Sequence, residues 1–344
     1  MAFLDTRRFL DVCTIGALLM LVACAATPEN RTPPTAPTAA ILPGKHLFDA
    51  VLGVIAQIPD TAHSAESLGT RRLGSGVLID DSGLVLTIGY LIMEAEITAV
   101  IGPDGQSIAA DIVAIDPESG FGLLRARSHI DAVPLELGQS KNLLEGTPVL
   151  AVSHGGEAAV MAAHIVSRRP FAGNWEYLID DAIFTVPPLR EYGGAALIDG
   201  NGRLIGIGSL IVNDAVPSHR QVFGNMFVPI DILAPVIDDL IATGRRSRPG
   251  APWLGVQIDE AEGRVFIARL SLGGPGEKAG LKPGDFIIGV NGKRIGGMED
   301  YLRKVRAVGR AGDDIALDVL PRGRGDLIIR RVVVSSMNRT DWLR

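Results

Sequence analysis

The chain has 344 residues, 47% of them hydrophobic and 21% charged, with a formal net charge of −6. That length accommodates two or three domains with their own cores, and its 41 Gly and 21 Pro suit short strands joined by tight turns. Only two cysteines occur, Cys13 and Cys24, which excludes a disulfide, a cysteine metal site or a thiol nucleophile from everything beyond residue 24.

The charge is unevenly spread. Residues 24–244 carry 12 Lys and Arg against 25 Asp and Glu, and residues 245–344 carry 19 against 12. The two halves therefore attract one another through opposite net charges. Arg245, Arg246 and Arg248 fall in a linker between them. The basic residues show no aromatic interleaving and no binding motif, which argues against a nucleic-acid partner.

In chain order, Arg7 and Arg8 precede an apolar run from Val12 to Ala23 that ends at Cys24. A charged start, a run of that length and small residues at its end make a secretory signal over residues 1–23, and the run is too short to span a bilayer as a mature helix. Leu21-Val22-Ala23-Cys24 resembles a bacterial lipobox, which implies lipidation at Cys24. Residues 24–46 are rich in Pro, Thr and Ala, a semi-extended tether with too little hydrophobicity to fold.

The segment Leu47 to Ile58 reads as an amphipathic helix. From Gly74 onward, short apolar runs alternate with turn signals. Ser75 to Ile79 and Leu84 to Thr87 flank Asp80-Asp81-Ser82-Gly83; Ile97 to Ile101 and Ile108 to Ile115 flank residues 102–107; Phe121 to Arg125 follows. A second set comprises Pro148 to Val152, Ala159 to Val166, Leu178 to Phe184, Ala195 to Ile198, Leu204 to Val212 and Met226 to Pro229. Two sets of about six antiparallel strands predict paired β-barrels. Asp231 is placed to N-cap a helix running through Ala242, with Gly244 ending it.

Glu191-Tyr192-Gly193-Gly194-Ala195-Ala196-Leu197-Ile198, continuing into Gly202-Arg203-Leu204-Ile205-Gly206-Ile207, resembles the nucleophile loop and following strand of the HtrA/Deg serine proteases. The resemblance extends over about residues 47–244. It includes Gly74-Ser75-Gly76-Val77-Leu78-Ile79, the strand end Leu86-Thr87 and the turn Asp116-Pro117, all in family order. It implies a mostly β chain with a trypsin-like double barrel. Carried over position by position, the family's nucleophile falls on Gly193, its base on Tyr90 and its carboxylate on Gly120. None of these can serve: glycine has no attacking atom, and a phenol with a pKa near 10 does not take a serine's proton at neutral pH as imidazole does. Glu191 stands where the family has glycine, and a carboxylate there would repel a developing oxyanion. His154 and Ser209 lie near the expected cleft, but neither sits in a motif that presents a nucleophile.

After the basic linker (residues 245–252), Pro252-Trp253-Leu254-Gly255-Val256, Ala279-Gly280-Leu281-Lys282-Pro283-Gly284-Asp285 and Val290-Asn291-Gly292 resemble a PDZ domain of the bacterial protease-associated type, over residues 253–335 with a tail at 336–344. The resemblance implies that Trp253, Leu254, Gly255 and Val256 form a loop receiving a peptide carboxylate, and that Leu302 and Val305 line its side-chain pocket. The expectation is a catalytically inactive HtrA-like chain, lipid-anchored on the periplasmic side of the bacterial envelope. It would bind peptide C-termini or unfolded segments, or regulate an active relative by forming homo- or hetero-trimers, with no cofactor and no metal. An active serine endopeptidase with a rearranged triad and a structural scaffold are the alternatives.

Overall fold

The computed structural model describes residues 45–217, 221–323 and 328–343; Cys24, the signal segment and the tether up to residue 44 lie outside them, while Lys45 and His46, expected to end the tether, fall in the first described turn. Among the described residues, no helix is long and apolar enough to cross a membrane.

Six strands close the first barrel: β1 (Val51–Gln57), β2 (Arg71–Leu78), β3 (Leu84–Ile88), β4 (Ile97–Ile101), β5 (Ser107–Ile115) and β6 (Phe121–Ala126), in the order β1-β2-β3-β6-β5-β4. Between them lie two one-turn helices, α1 (Ala65–Leu68) and α2 (Gly89–Ile92). The segment expected to be a helix from Leu47 to Ile58 is instead a short 3-10 turn, Lys45–Ala50, running into β1. Its apolar residues fit a helical stripe, but Val51-Leu52-Gly53-Val54-Ile55 is β-rich, and pairing with both β2 and β4 closes the barrel. That tertiary gain overrides the local pattern.

The second barrel contains β7 (Pro148–Val152), β8 (Val160–Gly173), β9 (Tyr177–Val186), β10 (Ala196–Ile198), β11 (Leu204–Val212) and β12 (Gly224–Pro229), in the order β10-β11-β12-β9-β8-β7. The helix expected from Asp231 is broken into a 3-10 turn, Ile230–Ile232, and α3 (Ile237–Thr243). Pro235 lacks an N–H and disfavours helical geometry in the residue before it. Asp231 is no N-cap either; its carboxylate accepts the N–H and hydroxyl of Ser140, in the segment before β7. Gly244 does end the helix, at φ +73°, with its N–H on the Leu240 carbonyl.

The C-terminal part is a six-stranded sheet of β13 (Val256–Ala261), β14 (Arg264–Leu270), β15 (Phe286–Val290), β16 (Lys293–Arg294), β17 (Asp314–Leu320) and β18 (Arg330–Ser335), with the order β13-β14-β15-β17-β18 and β16 pairing on β15. Helices α4 (Pro275–Lys278) and α5 (Met298–Val308) accompany it, and α6 (Arg339–Trp342) follows. β13 is an edge strand. The core of this part includes Leu254, Val256, Ile258, Leu302 and Val305, and also Leu178 from β9 of the second barrel. The fold is the mostly β double barrel followed by a PDZ domain that the resemblance implies.

Candidate functional site

Strand β3 is buried along its whole length and hands over to α2 at Gly89, whose N–H donates to the Gly120 carbonyl at 2.7 Å. This bond brings the Tyr90 and Gly120 positions together. The Tyr90 hydroxyl reaches across the cleft and donates to the Ser209 carbonyl at 3.0 Å. Burial, aided by neighbouring Tyr192, holds its pKa well above the usual phenol range, so at neutral pH Tyr90 is a proton-bearing donor and no base.

Gly193 lies directly opposite: a β-carbon built on it would stand 2.9 Å from the Tyr90 hydroxyl. Its carbonyl accepts the Ser75 N–H at 2.8 Å. The next residue, Gly194, adopts φ +75°, and a β-carbon there would fall 1.9 Å from the Ser75 carbonyl oxygen, so only glycine fits this turn. The N–H groups of Gly194 and Ala195 are bound to the carbonyls of Gly208 and Tyr192, at 2.9 and 3.0 Å. Glu191, beside them, is exposed.

Gly120 ends the turn begun at Asp116, at φ +81°. A side chain there would meet the Tyr177 hydroxyl at 2.7 Å, and that hydroxyl donates to the Ser119 carbonyl at 2.6 Å. Both glycine positions are thus abutted by tyrosine hydroxyls. Burial, with Asp116 adding to it, raises the Tyr177 phenol far above its ordinary value. Tyr90, Gly120, Trp175, Tyr177, Ser209 and Arg339 are among the residues around the remaining cavity of about 70 Å³.

The alternative nucleophile and base are not paired. Ser209 is buried at a bulge in β11. His154 donates its backbone N–H to the Ser75 hydroxyl at 2.9 Å, and its ring packs beside Gly53. Among the described residues, no hydrogen bond joins a histidine ring to a serine hydroxyl, and no three His, Cys, Asp or Glu side chains are grouped to hold a metal.

The segment expected to receive a carboxylate, residues 253–256, turns at Gly255, at φ +70°, so that the N–H groups of Leu254, Gly255 and Val256 converge. They meet the carboxylate of Glu176, from the turn between β8 and β9: Leu254 donates to Oε1 at 2.9 Å, and Gly255 and Val256 to Oε2 at 2.8 and 3.2 Å. Trp253 plays a different part. Its backbone pairs with Met337, at 3.1 Å in each direction, and its ring packs on Trp342 at 5.0 Å. Leu302 and Val305 are buried together with Leu178, whose carbonyl accepts from Arg306 at 3.0 Å.

Sequence reasoning missed Glu176, Tyr177, Arg339 and the anchor of the linker. The Arg246 guanidinium binds Asp116 twice, at 2.9 and 2.6 Å, and Glu118 at 2.9 Å. Glu118 also accepts the Ala251 N–H at 3.1 Å. The arginine-rich linker and the Asp116-Pro117 turn are each visible in the sequence; their pairing is not.

Residues 74–207 match the family model of the trypsin-like peptidase domain, and residues 266–319 match that of the PDZ domain. The chain is 29% identical over 280 residues to a probable periplasmic serine endoprotease DegP-like of Bartonella henselae, a match covering 77% of this chain and 53% of that protein. It is 26% identical to the periplasmic serine endoprotease DegP of Escherichia coli, over 78% of this chain and 58% of that one. It is 29% identical to the serine protease PepD of Mycobacterium tuberculosis, over 85% and 68%. The chain belongs to the HtrA family. Its fold also matches the HtrA-type protease AlgW solved with a decapeptide, at a TM-score of 0.51, 21% identity and coverage of 85% of this chain and 96% of that one. This HtrA-family chain spans about half the length of several curated relatives it matches.

Proposed function

We propose that this HtrA-family chain is proteolytically silent and acts in the bacterial cell envelope by binding peptide C-termini or unfolded segments through its PDZ domain, or by regulating an active relative through co-assembly. The observation that carries the reading is the cleft. Tyr90, Gly120 and Gly193 occupy the three catalytic positions that the family resemblance assigns. Two of these positions lack a side chain, and the third holds a half-buried phenol that keeps its proton. In a well-studied serine protease, loss of the triad lowers turnover by about 10⁶. Retention of the loop geometry at Leu254, Gly255 and Val256 supports a binding role. The periplasmic names of the relatives and the signal and lipobox pattern ending at Cys24 support an envelope location with a lipid anchor.

The reading is tested with purified protein, casein and a fluorophosphonate probe. Neither cleavage nor labelling is expected. Cleavage that vanishes in a Ser209→Ala or His154→Ala variant would establish a rearranged protease instead. Hydrophobic peptides with a free C-terminus are expected to bind, and their amidated forms not to bind. Failure of every such peptide would favour a purely structural scaffold.

A further inference from the structure

The PDZ carboxylate loop is already filled. Glu176 is bound by three converging backbone N–H groups, the arrangement that captures a peptide's terminal carboxylate. The adjoining backbone completes the likeness. The Asn174 carbonyl accepts the Ile258 N–H at 2.9 Å; β13 is an edge strand, so this is a bond that an added strand would make. Two residues beyond Glu176, Leu178 is buried among Leu254, Val256, Leu302 and Val305, as the apolar side chain of a bound peptide would be. One hairpin of the second barrel thus supplies a carboxylate and a ladder acceptor from its turn and an aliphatic side chain from the start of β9.

Glu176 holds this position at φ +62°, a left-handed conformation that costs a non-glycine residue of order 1 kcal/mol or more and is kept only where surrounding contacts fix it. Arg303 pairs with Asp180 at 2.7 Å and Arg306 binds the Leu178 carbonyl, so helix α5 holds the same hairpin from its other side.

We propose that the β8–β9 turn is an internal pseudo-ligand of the PDZ groove, with Glu176 standing in for a terminal carboxylate, and that a peptide ending in a free carboxylate and an aliphatic residue binds only by displacing it. The inference rests on the peptide-binding reading above. Its consequence is quantitative: the apparent Kd of such a peptide equals its intrinsic Kd divided by the fraction of chains with the groove vacated, so weakening the turn's hold tightens peptide binding without altering any contact to the peptide.

The test uses the full chain and a short peptide ending in Val-Leu with a free C-terminus, beside its amidated form, with binding followed by titration calorimetry. Three chains are compared: wild type, Glu176→Ala, and Glu176→Gln, which keeps the size of the side chain but turns an amide NH2 donor toward N–H groups that need an acceptor. Both variants are expected to bind the free-carboxylate peptide at least about tenfold more tightly than wild type, and the amidated peptide is expected to bind none of the three. Hydrogen exchange at Leu254, Gly255 and Val256 is expected to quicken in the variants. Equal, carboxylate-dependent binding by all three chains would overturn the pseudo-ligand and leave the peptide-binding reading standing. No binding by any chain would overturn both.

Discussion

The Tyr90 hydroxyl lies 2.9 Å from where a β-carbon on Gly193 would sit, and it is held there by the Ser209 carbonyl. The two positions are complementary: the phenol enters the cleft because the residue opposite has no side chain. Tyr177 and Gly120 repeat the relationship at 2.7 Å. The residue type at one position is thereby coupled to the packing of the next.

Restoring the three catalytic residue types is therefore expected to fail as a rescue. In a Tyr90→His/Gly120→Asp/Gly193→Ser chain, the new aspartate must adopt φ +81° against the Tyr177 hydroxyl, at a cost of about 1–3 kcal/mol. It cannot then orient an imidazole. No fluorophosphonate labelling is expected, together with a lower melting temperature. Labelling of the introduced serine in the triple variant would show the cleft to be competent after all.

The shape of the turn at Gly193 and Gly194 is held by its backbone contacts. A β-carbon at Gly194 would lie 1.9 Å from the Ser75 carbonyl oxygen, a backbone atom that cannot yield cheaply, whereas at Gly200 it would meet nothing within 4 Å. Gly194→Ala is expected to destabilise the chain by about 3 kcal/mol or more, and Gly200→Ala to stay within about 0.5 kcal/mol of wild type. Thermal unfolding of the pair checks this; similar midpoints would mean the loop relaxes.

Much of the barrel was legible because its strands carry alternating or continuous apolar runs bounded by Gly, Pro and Asp turns. β5, between its turn and Asp116, is an example. Residues 47–58 misled because an apolar run buried on both faces fits a helical stripe as well as a strand, and only pairing with β2 and β4 decides between them. The helix expected from Asp231 failed at a signal that was present, Pro235. At the site, Tyr90, Gly120 and Gly193 were singled out by resemblance, and the structure places the three close together. That tyrosines abut the two glycines could not be read in this way, since Tyr177 and Gly120 meet only in the folded chain. Glu176 carries no local mark: a glutamate in a turn is ordinary until the loop at 254–256 closes on it.

The linker is expected to contribute stability as well as connect the domains. Asp116 is almost fully buried, and Arg246 is its charged partner. Arg246→Ala would leave that carboxylate in the interior with the Ser119 hydroxyl and N–H as its remaining bonds. A loss of about 3 kcal/mol is expected, lowering the melting temperature by roughly 10 °C. Arg246→Lys retains the charge without the two-pronged geometry and is expected to lose less. Arg248, whose side chain is 68% exposed and lies 3.5 Å from Glu118, is expected to change little on substitution by Ala. Equal midpoints for the Arg246 and Arg248 alanine variants would refute the ranking.

Occupancy of the PDZ groove should depend on pH, with a sign fixed by Glu176. Burial pushes its carboxyl up to about 7, against the opposing pull of the three N–H groups and the Arg339 guanidinium. Tyr301, whose own pKa burial and Glu176 raise together, is the other titrating neighbour, on α5. An acid whose pKa is higher docked than free holds its proton more tightly when docked. The docked turn is therefore most stable below the ordinary carboxyl value of 4.5, and this advantage disappears as pH rises through about 7. A peptide's terminal carboxyl, with a pKa of about 3.5, stays ionised throughout. Peptide affinity of the wild-type chain is thus expected to rise at least about tenfold between about pH 5 and about pH 8, while that of the Glu176→Gln chain stays nearly level. A pH response carried by histidines would persist in the glutamine variant, so identical profiles for the two chains would assign the effect elsewhere.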